Sequence, residues 1–221
     1  VLDLTVEQAG TDIGKIASIF KIPLRDIEEA VSAFNETSNN STASGEQLLD
    51  VVKRIGDAAG SLNLAQSIGL SATGIDLGLS PEVVGSSFQK VFAEMYGRAE
   101  GFSKLLGVSV DDWMKTVQAN GIDALKMYLD GLRKLTPEAQ QQTIKTLSGG
   151  GRIGALVTKL LRDTEDTILD RNVDSAVRGI TTGTSAIKEQ LTVLQTLDAE
   201  ALKLGNSVEA IGIKAGERFA G

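Results

Sequence analysis

Three glycines in the chain have the spacing of a phosphate-binding turn. Gly149, Gly151 and Gly154 match the G-x-G-x-x-G pattern, in which backbone amides before a helix can hold a phosphate group. In dinucleotide-binding proteins this pattern follows a buried strand. Residues 143–148 instead have a helical pattern, and no Lys-Ser/Thr pair follows the glycines. The glycines therefore indicate a turn between two helices.

Two tetrapeptides match the S-x-x-K pattern, which in serine acylating enzymes supplies the nucleophile and a nearby lysine. They begin at Ser87 and Ser185 and end at Lys90 and Lys188. The other sequence elements of such enzymes are missing, and a pattern this short arises often by chance. We therefore assign no catalytic role to either serine.

Four aspartates are spaced by three or four residues, so that one continuous helix would place them on one face. They are Asp163, Asp166, Asp170 and Asp174. Carboxylates at this density could bind a hard cation, but arginines at positions 162, 171 and 178 alternate with them. A solvated charged face is the favoured interpretation, and we predict no catalytic, cofactor-binding or metal site in the chain.

The composition argues against most other catalytic chemistry. The 221 residues contain no histidine and no cysteine, which removes the common general base, the thiolate nucleophile and the usual nitrogen and sulfur ligands of metals. A formal charge of −7 argues against tight binding to nucleic acid, because such binding depends on clustered Lys and Arg. No apolar run reaches the roughly 20 residues that cross a bilayer, so we expect no membrane span in this sequence.

The elements that would position these residues are predicted to be short helices. Four segments combine an apolar residue with Ser, Thr, Pro, Asp or Glu in an order typical of a helix start. They are residues 22–26, 79–82, 108–112 and 135–138. Since 42% of the residues are hydrophobic and only 4% are aromatic, the core must be mainly aliphatic, which suits closely packed helices. We predict an all-α fold, a multi-helix array of short antiparallel helical hairpins with longer helices at the C-terminal end.

Apolar residues at spacings of three and four define the first helices. The first hairpin carries Ile13, Ile16, Ala17 and Phe20 on one helix and Leu24, Ile27, Val31 and Phe34 on the next. The strongest stripe runs from Leu48 to Leu62, and Ser44 with Gln47 forms a capping box before it. This third helix is predicted to be central.

Three further predictions concern the segments around that helix. The polar residues 35–44 are predicted to form an exposed loop. Residues 63–78 are predicted to contain a brief helix that ends near Gly69 or Gly74. Trp113 is expected to be a core anchor, because apolar residues flank it at helical spacing.

The pattern changes after residue 163, so we predict a core domain over 1–163 and a helical extension over 164–221. Gly179, Gly183 and residues 181–185 have the composition of a hinge. The last apolar stripe comprises Ile187, Leu191, Leu194, Leu197, Ala201, Leu204, Val208 and Ile211. Its spacing is coiled-coil-like with one slip. It would either pack on its own domain or associate with another copy, and the spacing leaves both open.

A longer pattern resembles a known family. An N-x-x-S-N-x-S-x-A-S segment leads to a helix with L-x-x-V-x-R, and a G-L-S-P-E joint follows. The residues that carry it are Asn35, Ser38, Asn39, Ser41, Ala43, Ser44, Leu48, Arg54, Gly78, Ser80, Pro81 and Glu82. Together with residues 102–113 and the glycines near Gly149, they make the chain resemble the core domain of phage tail tape-measure proteins over roughly residues 2–163. Arg54 could bridge the Asn/Ser segment or a neighbouring subunit, or lie on the surface with its stem over apolar side chains.

The resemblance implies a structural, non-catalytic virion protein that governs tail assembly and tail length. It implies as partners the tail tube and tail tip or baseplate proteins, tail assembly chaperones and further copies of the chain. The expected locations are the tail tube lumen or tip, and the host cytoplasm during assembly. Because the sequence begins at Val1 rather than at methionine, we expect it to be a fragment of a longer protein.

Two alternatives of another class stay open. Stacked helical hairpins also form adaptors that bind a peptide in a groove. A cell-wall glycosidase that uses only carboxylates is a weaker alternative, because no paired Asp/Glu arrangement points to it.

Overall fold

The computed structural model describes residues 6–163 and 166–183, and the regular secondary structure of these residues is entirely helical. The helices are α1 (Val6–Ile19), α2 (Ile27–Asn39), α3 (Gly45–Ile55), α4 (Leu64–Asp76), α5 (Pro81–Gly97), α6 (Ala99–Leu106), α7 (Val110–Ala119), α8 (Gly121–Arg133), α9 (Pro137–Leu147), α10 (Arg152–Arg162) and α11 (Thr167–Thr182). Two 3-10 segments, Leu24–Asp26 and Gly56–Ser61, lie before α2 and after α3. The predicted all-α class is confirmed. The prediction of longer helices at the C-terminal end concerns residues that lie for the most part outside the described ranges.

The predicted joints lie at helix starts. α5 and α9 begin at Pro81 and Pro137, and the Ser109 hydroxyl caps α7. The capping box of α3 is complete, because the Ser44 N–H donates to Gln47 Oε1 at 2.9 Å and the Gln47 N–H donates to Ser44 Oγ at 3.2 Å. These caps satisfy amides that a helix start would otherwise leave without partners.

Two apolar cores share α3. In the larger core, the Phe102 ring lies 5.2 Å from that of Trp113 and 4.9 Å from that of Tyr128, measured between ring centroids. Trp113 is fully buried, as predicted. The second core surrounds Phe34 and Ile68. α3 gives Val51 and Ile55 to the first core and Leu48, Leu49 and Val52 to the second, so its predicted central position is confirmed.

α2 continues through half of the segment that is predicted to be a loop. It ends at Asn39, so that only residues 40–44 connect it to α3. Asn35 and Thr37 are buried, because α2 packs along α11 and α4. The loop prediction is therefore wrong for residues 35–39, where helix packing outweighs the modest helix propensity of Asn, Ser and Thr.

α4 is one helix of 13 residues and does not end at either of its glycines. A Cβ atom on Gly69 would lie 2.7 Å from the Cα atom of Val173 on α11. A Cβ atom on Gly74 would lie 2.5 Å from a methyl carbon of Val84 on α5. The predicted helix end is wrong because these glycines permit close approach of neighbouring helices.

α11 packs against α2 and α4 and passes through the predicted hinge. A Cβ atom on Gly179 would lie 2.4 Å from the Cα atom of Ala33, so Gly179 is a contact point within a helix and the hinge prediction is wrong there. Gly183 ends α11 with φ of 57°. Residues 184 and 185 lie outside the described residues, and the division between 1–163 and 164–221 stays a prediction.

Candidate assembly interface

A polar cluster joins the connection before α3 to α4 and α11. It comprises Thr42, Asp76, Arg171 and Asn172, and we call it the Asp76 cluster. One oxygen of the Asp76 carboxylate accepts hydrogen bonds of 2.7 Å from both the N–H and the hydroxyl of Thr42. The other oxygen accepts one of 2.9 Å from the Asn172 amide and one of 2.6 Å from the Arg171 guanidinium. Both carboxylate oxygens are therefore engaged within the fold.

The electrostatics of Asp76 follow from these contacts. Its side chain is only 6% exposed. Burial by itself raises the pKa of Asp76, but the hydrogen bonds from Asn172 and Thr42 and the charge of Arg171 outweigh burial and hold the pKa below its ordinary value. The carboxylate is thus charged near neutral pH and fixes α11 to α4.

The Asp76 cluster is not among the sites predicted from the sequence, although a signal for it exists. Asp76 is the only charged residue among the 13 residues of α4. It lies in the last turn, where the helix dipole disfavours a carboxylate. A lone acidic residue at that place in an apolar helix indicates a partner elsewhere in the fold.

The four aspartates do not share one helix face. Asp163 and Asp166 lie in the connection between α10 and α11, whereas Asp170 and Asp174 lie on α11. Asp163 accepts hydrogen bonds of 3.0 and 2.8 Å from the first two backbone amides of α11. Asp166 is buried and pairs with Arg133 at 2.6 Å. The solvated-face interpretation is wrong for these two residues, because the chain leaves the helical conformation after α10.

The Arg133 ion pair fixes the start of α11 to α8. Its guanidinium also donates to the Asp163 carbonyl oxygen at 2.7 Å, and the hydrogen bond with Asp166 is the main cause that raises the pKa of Arg133. Within residues 6–163 and 166–183, no group of three or more acidic side chains is arranged to hold a metal ion. Asp163 therefore caps α11, and Asp166 and Asp170 are ion-pair partners of Arg133 and Lys126.

The glycine pattern near Gly149 and the first S-x-x-K tetrapeptide also have structural roles. Gly149 and Gly151 have φ of 86° and 68° and form the predicted turn between α9 and α10. Ser87 is buried, and the Lys90 ammonium pairs with Glu94 at 2.7 Å. The second S-x-x-K tetrapeptide lies outside the described residues.

Arg54 adopts one of the arrangements that the sequence left open. Its guanidinium pairs with Asp50 on the same helix at 3.0 Å. A Cβ atom on Gly85 of α5 would lie 2.7 Å from the Cβ and Cδ atoms of Arg54, so the arginine stem covers the glycine surface of α5. The side chain as a whole is 44% exposed. This contact holds α3 against α5.

An open apolar groove lies where α1, α11 and the segment between α3 and α4 meet. We call it the α1–α11 groove, and its volume is about 860 Å³. Its apolar lining includes Ile19, Phe20, Ile22, Leu62, Leu64 and Ile180. Val177 also lines it and is 43% exposed, an unusual exposure for a large hydrophobic side chain in the described part of this chain. Concave apolar surface of this kind is typical of contact sites.

The comparison with protein families decides what kind of protein carries these features. A family model described as phage-related minor tail protein matches residues 1–149. The chain belongs to this family. No curated protein and no solved structure shows a significant match to it.

As a phage-related minor tail protein, the chain has a structural role in a phage tail. The matched region contains α1 to α9 and Asp76, while Arg171 and Asn172 of the same cluster lie beyond it. No helix in residues 6–163 and 166–183 is long and apolar enough to cross a membrane.

Proposed function

We propose that this minor tail protein is a module of a tape-measure protein, which governs tail assembly and length without catalysing a reaction. The observation that carries the proposal is the family match over residues 1–149, which contains the Asn/Ser segment and the helix joints of the resemblance. One polar residue of that pattern and one neighbour of it stabilise the fold. Ser44 caps α3, and neighbouring Thr42 binds Asp76.

The proposed partners are the tail tube and the tail tip or baseplate proteins, with tail assembly chaperones before assembly and further copies of the chain within the tail. The family match supports contacts with other tail proteins. The formal charge of −7 would limit adhesion to DNA that passes through the tail. The proposed locations are the tail lumen or tip, and the host cytoplasm before assembly.

The test is an in-frame deletion of codons 6–183 in the gene that encodes this sequence, followed by electron microscopy of the particles. We expect tails to be absent or to differ in length from the wild type. A matched control replaces exposed Glu138 with glutamine and should leave tails unchanged. Tails of normal number and length after the deletion would refute the proposal.

A binding assay separates this proposal from the adaptor alternative. The purified full chain is incubated with tail tube and tip proteins in one sample and with a host lysate in another. Capture of tail proteins supports the proposal. Selective capture of one host protein, or clearance of peptidoglycan by the chain, would instead favour the adaptor or the cell-wall enzyme.

A further inference from the structure

We propose that the α1–α11 groove is the docking site for the apolar stripe of this chain's own C-terminal segment, beginning with Ile187, Leu191 and Leu194. The proposal assigns one occupant to the groove and does not depend on a role in tail length. It concerns a segment that lies outside the described residues, and it rests on the groove, on the place where α11 ends and on the sequence that follows.

The groove is incomplete in the described part of the chain. Phe20, Ile22 and Ile180 are only partly buried although they pack against the second core, and Val177 is 43% exposed. Leaving several large apolar side chains of one concave surface in water is unfavourable, at roughly 25 cal/mol per Å² of apolar area. A further apolar element is therefore expected to cover them.

The last turn of α11 lies at this surface. Ile180 and Thr181 line the groove in the last turn of α11, and Gly183 ends the helix with φ of 57°, a left-handed conformation that turns the chain away from the helix axis. Ile187 is four residues further on. Four residues span at most about 14 Å, so the first residue of the stripe can reach the groove without a long linker.

The chemistry of the segment matches that of the groove. Four of its aliphatic residues, Ile187, Leu191, Leu194 and Leu197, are separated by three or four positions, which would place them on one side of a helix. The groove offers isoleucine, leucine, valine and phenylalanine side chains, and Lys21, Asp26, Glu29 and Asn63 also belong to its lining. Because the segment is tethered to the groove wall, its effective concentration exceeds that of a second copy in dilute solution.

The experiment is hydrogen exchange with mass spectrometry on the full chain, comparing the wild type with a Leu191→Asp/Leu194→Asp variant. The substitutions lie outside both described cores, so the helices that form the groove should stay folded, as circular dichroism will show. We expect amide exchange in peptides covering residues 19–23 and 62–65 to become about tenfold faster or more, because two leucine contacts are lost. Exchange around Trp113 should not change.

The matched control is a Thr192→Asp/Thr196→Asp variant, which adds the same charge to the same segment at positions outside the stripe. It should exchange like the wild type. Unchanged exchange at the groove in the leucine variant would overturn the proposal. A wild-type mass of two chains in light scattering, reduced to one chain by the leucine variant, would also overturn it, because the occupant would then be a second copy.

A covalent test uses the absence of native cysteine. Phe20→Cys combined with Leu191→Cys should oxidise to a disulfide within one chain at micromolar protein concentration. The pair Phe20→Cys and Thr192→Cys serves as the comparison and should form less of it. Disulfides that link two chains, or equal yields from both pairs, would refute docking within the chain.

Discussion

The contact between α11 and α2 leads to a test in which the change of glycine to alanine has opposite effects on stability at position 179 in α11 and at position 14 in α1. An alanine Cβ atom at position 179 would lie 2.4 Å from the Ala33 Cα atom and 2.6 Å from the Ser32 carbonyl oxygen. These neighbours are backbone atoms, which cannot rotate away as the end of a side chain can. Gly179→Ala therefore has to push α11 away from α2.

The size of the effect follows from two contributions. Replacing glycine by alanine inside a helix gains up to about 1 kcal/mol, whereas overpacking a tight contact costs roughly 1–3 kcal/mol. Gly14 lies in α1 with nothing within 4 Å of its added Cβ atom, so Gly14→Ala gains the propensity contribution alone. The difference between the two variants isolates the contact, and we expect it to be about 1–3 kcal/mol in the free energy of unfolding.

The assay is urea unfolding of the full chain, followed by circular dichroism at neutral pH. Gly14→Ala should raise the midpoint and Gly179→Ala should lower it. A third variant, Gly69→Ala, meets the Val173 backbone at 2.7 Å and should behave like Gly179→Ala. If Gly179→Ala is as stable as Gly14→Ala, α11 does not pack on α2 as closely as the structure has it, and the reasoning is refuted.

Three further predictions concern charge, cooperativity and DNA. Asp76→Asn should lower the free energy of unfolding by about 1–3 kcal/mol at pH 7. Because the folded pKa of Asp76 is depressed, its stabilisation is present above the unfolded pKa of about 3.9 and is lost as pH falls through the folded value. The difference from the wild type should therefore shrink in urea titrations below about pH 4, and a constant difference would contradict the assignment. Trp113, the only tryptophan, lies in the larger core, and α3 belongs to both cores. Tryptophan fluorescence and circular dichroism should therefore report the same single urea transition. Two separate transitions would mean that the cores unfold independently. Duplex DNA should show no binding at physiological salt in fluorescence anisotropy, and sub-micromolar binding would contradict the argument from the charge of −7.

The helix starts could be predicted because their causes are local. A proline in the first turn and a capping Ser or Thr act on amides only two or three residues away. Pro81, Ser109 and Pro137 therefore mark the starts of α5, α7 and α9 from sequence alone. The stripe of α3 could be predicted as far as Ile55, and its aliphatic residues contact both cores. Its predicted continuation to Leu62 is wrong, because α3 ends at Ile55 and the 3-10 segment Gly56–Ser61 follows.

The helix contacts could not be predicted because their causes lie far apart in the chain. Gly69 and Gly179 have the local appearance of a helix end and a hinge, and only the backbones of Val173 and Ala33 explain them. Likewise, Asn35 has a loop-forming side chain yet is buried in α2. For each glycine, the residue that decides its role lies more than 100 positions away in sequence. For Asn35, packing against neighbouring helices decides that the polar residue is helical and buried.

These distant contacts bear on how far the folded unit extends. The family match ends at residue 149, but inside it Asp76 depends on Arg171 and Asn172, and Gly69 receives α11. Without α11, the Asp76 carboxylate would lose two of its four hydrogen bonds, and the faces of α2 and α4 that α11 covers would be exposed to water. A carboxylate that loses hydrogen bonds is less well stabilised, so in this chain the region that the family model matches is packed against a helix that lies beyond the match. We therefore expect that stable folding of the family region in this chain requires the sequence as far as α11.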